Sequence, residues 1–593
     1  MVKRDAACSN ALLVWSCFFG FFFRPWFFNG LPTHAPAPNP GTVELQTKAC
    51  RFPSDALIGS LGGMTGVAEI FVGLLLAVAV LALVARRLSI SYPILFVIGG
   101  LLLGLIPKLP KVRLDPELVF LFFLPPLLFP AALFTSWRDF RANLRPISLL
   151  AIGLVLFTTV AVAYLAHYFL GLPLGAGFVL GAIISPPDAI AASAIADRLK
   201  IPRRIVTILE GESLVNDATA LVAYRFAVVA VVTGSFSMAR ASGQFFIVGI
   251  GGILIGLVVG LLAEQFHKRV DDAPIEITVS LLTPFVAYLS AERLGVSGVL
   301  AVVTAGLYLG GRIPELLTFK TRLRGGPVWE MVEFLLNGFV FILIGLQLPE
   351  VLRALSGNSI PIHRLVRDAL FISLAVILIR ILWVFPATYL PRRLFKKICR
   401  HDPNPPWQHV TIVAWTGMRG VVSLAAALAL PFTLRDGSPF PGRDLILFLT
   451  FVVIVATLVL QGLSLPLLIR CLRIQDDGSM DKEEREARLK ANHAALARLN
   501  EIAEGDPAKA DALQRLRIEY EDHIRQVEGA EPESAGTPLR LFSSEYERLS
   551  HEGLQIERRT IIDLRNQDVI SDEVLRRIQR DIDLAEARLR HHQ

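Results

Sequence analysis

The residues best able to do chemistry sit where the chain is most apolar. Between Gly181 and Tyr224 it reads GAIISPPDAIAASAIADRLKIPRRIVTILEGESLVNDATALVAY. The first apolar segment is interrupted by Ser185-Pro186-Pro187-Asp188. The second holds Glu212, Ser213, Asn216 and Asp217 within about a turn and a half of helix. A carboxylate in hydrocarbon costs several kcal/mol, so acids at membrane depth face a protein-lined or wet cavity and mark an ion or proton path. The proline pair removes two backbone donors, which predicts a broken helix with carbonyls freed to point at a ligand. Ser213 and Asp217 are four residues apart and share a helix face, with Glu212 and Asn216 forming the adjacent row. Asp188, Ser213 and Asp217 together offer hard oxygen ligands for one small cation. Against this, a single buried acid often does no more than pair with an Arg to orient helices. Three acids, a Ser and an Asn beside a broken helix are more than that role needs.

Other segments must position this cluster. A second interruption, Ala414-Trp415-Thr416-Gly417-Met418-Arg419-Gly420-Val421-Val422-Ser423, sets two glycines around a charge inside an apolar run. Paired interrupted helices in corresponding halves point to inverted repeats with a site near the membrane midplane. Arg419 is suited to offset the negative ends of the half-helices that meet there, and Asp188 the positive ends. Arg380 lies too deep in LFISLAVILIRILWVF to reach water. Its expected partner is Glu212, with Asn216 as a further hydrogen-bonding neighbour. Glu330, Glu333 and Asn337 punctuate another apolar run, where Asn337 is placed to face a cavity or a neighbouring helix.

The whole chain agrees with a membrane setting. It has 593 residues, 53% of them hydrophobic, and a mean hydropathy of +0.53, which excludes an ordinary soluble domain. Thirteen spans are predicted from Met64 on, near 66–85, 93–106, 115–134, 147–169, 174–197, 204–232, 244–264, 275–293, 297–311, 328–348, 366–389, 409–432 and 444–470. The interrupted fifth and twelfth stand seven apart, as two six-helix repeats joined by a linker helix would place them. Loops after odd-numbered spans are rich in Arg and Lys, for example Arg138, Arg141 and Arg145. Lys108, Lys111 and Arg113 after the second span dissent. The positive-inside rule therefore puts the odd loops and the C-terminal tail in the cytoplasm.

Three regions follow: an N-terminal extension (1–63), a transmembrane domain (64–474) and a charged helical tail (475–593). The extension reads as a signal-like segment, an anchor or an over-long gene start ahead of Met64. The tail carries 27 acidic and 19 basic residues, a net of −8, against +15 for the rest of the chain. Its interspersed charges and helical Leu and Ile spacing predict a solvated bundle or short coiled coil, with Gly529–Pro538 as a linker. Basic loops in such a chain meet anionic lipid, so no nucleic-acid partner is implied. The five cysteines show no metal or redox spacing.

With EGESLVNDATA at 210–220, the Pro-Asp break, Arg380 and TGMRGVVSLA at 416–425, the chain resembles the monovalent cation:proton antiporters, sodium/proton exchanger branch. The resemblance covers roughly Met64 to Leu472. It implies a thirteen-helix inverted-repeat fold, a homodimer in the cell membrane, and alternating access of a core against a dimerisation domain. By position it makes Asp217 the essential ion- and proton-binding carboxylate, completed by Asp188, Ser213 and the main-chain carbonyl of Pro187. It also implies that Glu212 and Asn216 engage Arg380, and that Arg419 lies where the broken helices cross. Relatives with Asn-Asp, as here, are generally electroneutral. The family's usual Thr-Asp-Pro at the first break is Pro187-Asp188-Ala189 here, so the threonine hydroxyl is missing from the ion site.

The expected activity is exchange of Na+, with Li+ or K+ as alternatives, for H+, by competition at Asp217 and without a cofactor. A K+/H+ exchanger of the same fold is the nearest rival. An intramembrane hydrolase would need a nucleophile or metal constellation, and neither HExxH nor a GxSxG placed as a nucleophile elbow occurs. A membrane-anchored sensor or scaffold acting through its tail is the rival from another class.

Overall fold

The computed structural model describes residues 54–88, 91–106, 119–188, 199, 201–234, 238–356, 361–395, 402, 404–434, 437–474, 478–505, 510–528 and 544–590. The predicted extension before residue 54, most of the second half of the fifth span and the predicted linker at 529–538 lie outside these residues. Two units divide at Gly66. The first contributes only the start of α1 to the described residues, and everything below concerns the second, Val67–Gln593.

Every regular element among the described residues is a helix, and one isolated bridge joins Thr433 and Pro439. The apolar helices are α1 (Ser54–Leu88), α2 (Tyr92–Gly104), α3 (Val119–Leu133), α5 (Leu144–Leu170), α6 (Leu174–Ile184), α7 (Arg203–Thr233), α8 (Met238–His267), α9 (Ala273–Arg293), α10 (Gly298–Gly310), α11 (Phe319–Ser356), α12 (Ile362–Leu394), α13 (Trp407–Trp415), α14 (Val421–Leu428) and α15 (Arg443–Cys471). A short helix, α4 (Trp137–Ala142), joins α3 to α5. Eight of these helices are long and apolar enough to cross a membrane, and four more are apolar but shorter. The twelfth predicted span is the interrupted pair α13 and α14.

Local chemistry sets several helix starts. Ser297 accepts a hydrogen bond from the Leu300 N–H at the start of α10, at 3.2 Å. Asp272 accepts from Ile275 N–H at the start of α9, where Pro274 occupies a first-turn position with no donor to lose.

Three large clusters of buried side chains organise the membrane part: the broadest joins α1, α2 and α11 to α13, α14 and α15 around Val97, Phe341, Met418 and Phe451, and two smaller ones meet along α7. Of these two, one gathers α5, α6, α7, α12, α14 and α15 around Leu180, Ile183, Ile372, Val376 and Val453. The other gathers α3, α8, α9 and α10 around Phe129, Ala287, Ala301 and Val302. Helix α7 contributes Tyr224 and Ala227 to the first and Ala218 to the second. Its acid-bearing middle therefore lies at the boundary between the two bundles.

The tail forms α16 (Ser479–Gly505), α17 (Ala510–Glu528), α18 (Ser544–Asn566) and α19 (Asp572–Arg590). Ala487 and Ala491 pack with Ile561, Val574, Leu575 and Ile578, while Ala495 and Leu499 pack with Leu513, Leu516, Tyr520 and Leu549. The tail docks on one end of the membrane part through charges. Arg322 Nε donates to Asp583 Oδ2 at 2.8 Å, and Arg558 bridges Asp583 and Glu586. Arg565 donates to Gly311 O at 2.9 Å, and Arg203 pairs with Glu483 and Glu573.

Within the tail, burial pushes the Glu557 carboxyl up to about 7, against a hydrogen bond with Tyr520 that pulls it down. A carboxyl held above its unfolded value binds more protons in the folded state, so stability falls as pH rises from the unfolded value through about 7. Glu557→Gln is expected to flatten this dependence and raise the melting temperature of the full-length protein's tail transition at pH 8, with no gain at pH 4. Parallel melting curves at the two pH values check it.

Candidate functional site

The two chain interruptions face each other. Helix α6 stops at Ile184, because Pro186 and Pro187 bring no N–H, and residues 185–188 run on without helical structure. Across from it, α13 ends at Trp415 and α14 begins at Val421. A main-chain bond joins the breaks: Asp188 N–H donates to Met418 O at 2.6 Å. Arg419 closes the other side. Its Nε donates to Ile184 O at 2.9 Å, its Nη1 to Gly417 O, and its own N–H to Thr457 Oγ1 at 3.1 Å. The guanidinium thus sits on the negative end of α6, where a cation is favoured.

Asp188 lies against the opposite kind of end. A Cβ added to Gly420, which precedes the first residue of α14, would overlap Asp188 Oδ2 and come within 2.7 Å of its Cβ. The carboxylate is therefore held at a positive helix end, and only glycine leaves room for it there. Gly420→Ala is expected to displace Asp188 and cost about 1–3 kcal/mol by overpacking, with a loss of exchange. Gly243→Ala, on α8 with no atom near its would-be Cβ, should leave stability unchanged or slightly raised. Thermal melts and transport rates of the two variants side by side check it.

Asp188, Pro187, Ser213 and Asp217 all line one cavity of about 470 Å3, together with Glu210, Glu330, Glu333, Asn337 and Ser423. The cavity is lined by α7 and α14 from the first bundle, by α3 from the second, and by α2 and α11. Asp217 is 7% exposed, facing this space. Among the described residues, no group of three or more His, Cys, Asp or Glu is arranged to hold a metal ion. Two carboxylates, a hydroxyl and a backbone carbonyl on the cavity wall are oxygen donors of the kind that hard cations take.

Behind the cavity, Arg380 donates from Nη1 to Glu212 Oε1 at 2.6 Å and from Nη2 to Oε2 at 2.8 Å. Its Nε donates to Val413 O at 3.2 Å, tying the pair to α13. Both side chains are 1% exposed. A bidentate pair is the arrangement that best offsets burial of two charges.

Asn216 departs from expectation. The sequence places it beside Arg380, but its Nδ2 donates to Pro187 O at 2.8 Å and its Oδ1 has no hydrogen-bond partner. The row it shares with Glu212 is real, yet one turn further along α7 that row meets the first break and not α12. The Pro187 carbonyl, expected to face an ion, is held by this amide. A carbonyl has two lone pairs, so the bond orients it without exhausting it.

Sequence reasoning gave no role to Ser423 or Thr457. Ser423 Oγ is buried, without a hydrogen-bond partner, on the cavity wall, and Asn337 Oδ1 is likewise unpartnered. The one signal for Ser423 is its place three positions after Gly420, on the first turn of α14. Thr457 gave no signal, since its role is to accept from the Arg419 backbone.

Residues 73–471 match the family described as sodium/hydrogen exchanger, transmembrane. The chain is 39% identical over 537 residues to an uncharacterized Na+/H+ exchanger of Mycobacterium tuberculosis, covering 90% of this chain and 98% of the relative. It is 36% identical over 405 residues to the sodium, potassium, lithium and rubidium/H+ antiporter of Bacillus subtilis, covering 67% and 60%. Among solved structures, the sodium proton antiporter MjNhaP1 of Methanocaldococcus jannaschii superposes with a TM-score of 0.55 over 69% of this chain and 99% of that one. At 20% identity this is a likeness of fold.

Proposed function

The chain belongs to the sodium/hydrogen exchanger family and is a monovalent cation/proton antiporter, and from that premise we propose how its residues carry the exchange. Asp217 holds either a cation or a proton, with Asp188, Ser213 and the Pro187 carbonyl completing the cation's oxygen shell. The observation that carries this reading is the single cavity in which those four residues meet. Only a neutralised carboxylate crosses cheaply between access states, because a bare charge between two apolar bundles is costly. Cation and proton therefore exclude one another at Asp217, and each passage of one returns the other.

Glu212 and Arg380 hold α7 against α12 and α13, Asn216 orients the Pro187 carbonyl, and Arg419 with Asp188 neutralises the facing helix ends. The cycle is alternating access, with the bundle of α5–α7 and α12–α15 moving against that of α3 and α8–α10. That both bundles line the cavity supports this division. One cation against one proton makes the exchange electroneutral. The chain sits in the cell membrane as a homodimer, and the tail lies on the cytoplasmic side, as the excess of Arg and Lys on the loops it touches suggests.

The cations named for the Bacillus relative support a site open to Na+, Li+ and K+. Purified protein in liposomes should give proton flux dependent on added Na+ or Li+, and unchanged when the membrane potential is clamped. Flux that follows the clamped potential would overturn electroneutrality, and absence of cation-dependent flux would overturn the site.

A further inference from the structure

Tail helix α19 reaches the lining of the cavity that holds Asp217. Phe134 and Glu210 line it, and one tail residue bonds the first and lies near enough to the second for their charges to interact. Arg576 on α19 donates from Nη2 to Phe134 O at 2.7 Å, and its charge interacts with Glu210. Phe134 is the residue that ends α3, so the guanidinium takes the carbonyl at that helix's negative end. Glu210 is on α7, two residues before Glu212. Arg576 therefore stands at the edge of the cavity, between the end of α3 and α7.

We infer that Arg576 sets cation access to the exchange site, as a fixed positive charge that the tail places at the edge of the ion path. This rests on the reading of the cavity as that path. Local charge makes the effect one of degree. Arg203 adds a second positive charge beside it, while Asp572, Glu573 and Glu210 oppose that of Arg576 and Glu573 also pairs with Arg203. With Arg576 neutralised, the carboxylates at that edge draw cations more strongly, which raises local cation concentration without altering the site itself.

The docking that carries Arg576 is independent of the cavity edge itself. Asp583 on the same helix is held by Arg322 and Arg558, and Gln579 donates to Pro314 O at 3.2 Å. Substitution of Arg576 leaves these bonds in place. The residue is thus a positioning element for the cation, and its contribution is separable from attachment of the tail.

The test uses full-length protein in proteoliposomes, with Na+ varied on the side that carries the tail. Arg576→Gln is expected to lower the KM for Na+ about two- to fivefold, the range that one partly screened charge contributes, with the maximal rate little changed. The difference should shrink at high ionic strength, and Arg576→Lys should behave as wild type. Glu210→Gln, a change of opposite sign at the same edge, should raise KM, which keeps the test sound if Arg576→Gln disturbs the tail.

An unchanged KM in both Arg576→Gln and Glu210→Gln would overturn the inference. So would Arg576→Lys matching Arg576→Gln, since the contact with Phe134 and not the charge would then matter. Exchange persisting in Asp217→Asn would instead fault the reading of the path, whatever Arg576→Gln does.

Discussion

Asp217→Asn is expected to abolish cation/proton exchange while leaving a folded protein. Asn keeps the size of the side chain and its capacity to hydrogen-bond, and loses the charge that binds a cation and the site that takes up a proton. The surrounding cavity and the breaks that face it do not depend on that charge. The Asp188 N–H to Met418 O bond and the Arg419 bonds to Ile184 and Gly417 are all made elsewhere. Melting temperature should therefore hold or rise, since removing a buried charge relieves its desolvation. Asp188→Asn and Ser213→Ala should weaken cation affinity and retain some exchange, because each removes one ligand and leaves the competing carboxylate. Transport rates and melting curves of the three variants separate these outcomes. Wild-type exchange by a well-folded Asp217→Asn protein would refute the assignment.

Arg380→Ala is expected to act through stability. Its two bonds to Glu212 and its bond to Val413 O lie in a region that water does not reach. Removing the guanidinium strands the Glu212 carboxylate, and breaking such a pair costs about 3–5 kcal/mol. Glu212→Gln made alongside Arg380→Ala should recover part of that loss, because an amide is far cheaper to bury than an unpaired carboxylate. The coupling, read from the melting of the two single variants and the double, is the quantity of interest. Losses that simply add would show that the two side chains do not support one another.

Much of this site was legible because membrane segments tolerate few polar residues, so each exception is informative. Glu212, Ser213, Asn216 and Asp217 stood out against an apolar helix, and Pro186-Pro187 and Gly417/Gly420 marked the breaks in theirs. Arg380 required a buried partner, and Glu212 was the acid at matching depth. Helical rows could say which residues share a face of α7, but not which neighbour each turn meets. That depends on how α7 crosses α6 and α12, and so Asn216 was assigned to Arg380 when it holds the Pro187 carbonyl.

Ser423 was hidden for a different reason. A lone serine among alanines on α14 looks like packing until the helix is placed against the cavity. In the tail, helical periodicity was plain. The pairing of Asp583 with Arg322, and of Arg576 with the α3 end, was not, because both join residues more than 250 positions apart in sequence.

The central claim is that cation and proton compete for Asp217, and the most direct measurement follows Na+ binding and proton release together on the purified full-length protein. Competition predicts that Na+ binding expels protons from the wild type. It also predicts that apparent Na+ affinity weakens about tenfold for each unit the pH falls once the empty site is protonated. Asp217→Asn should show neither the release nor the pH dependence. Na+ binding of constant affinity across pH, with no proton released, would contradict the account.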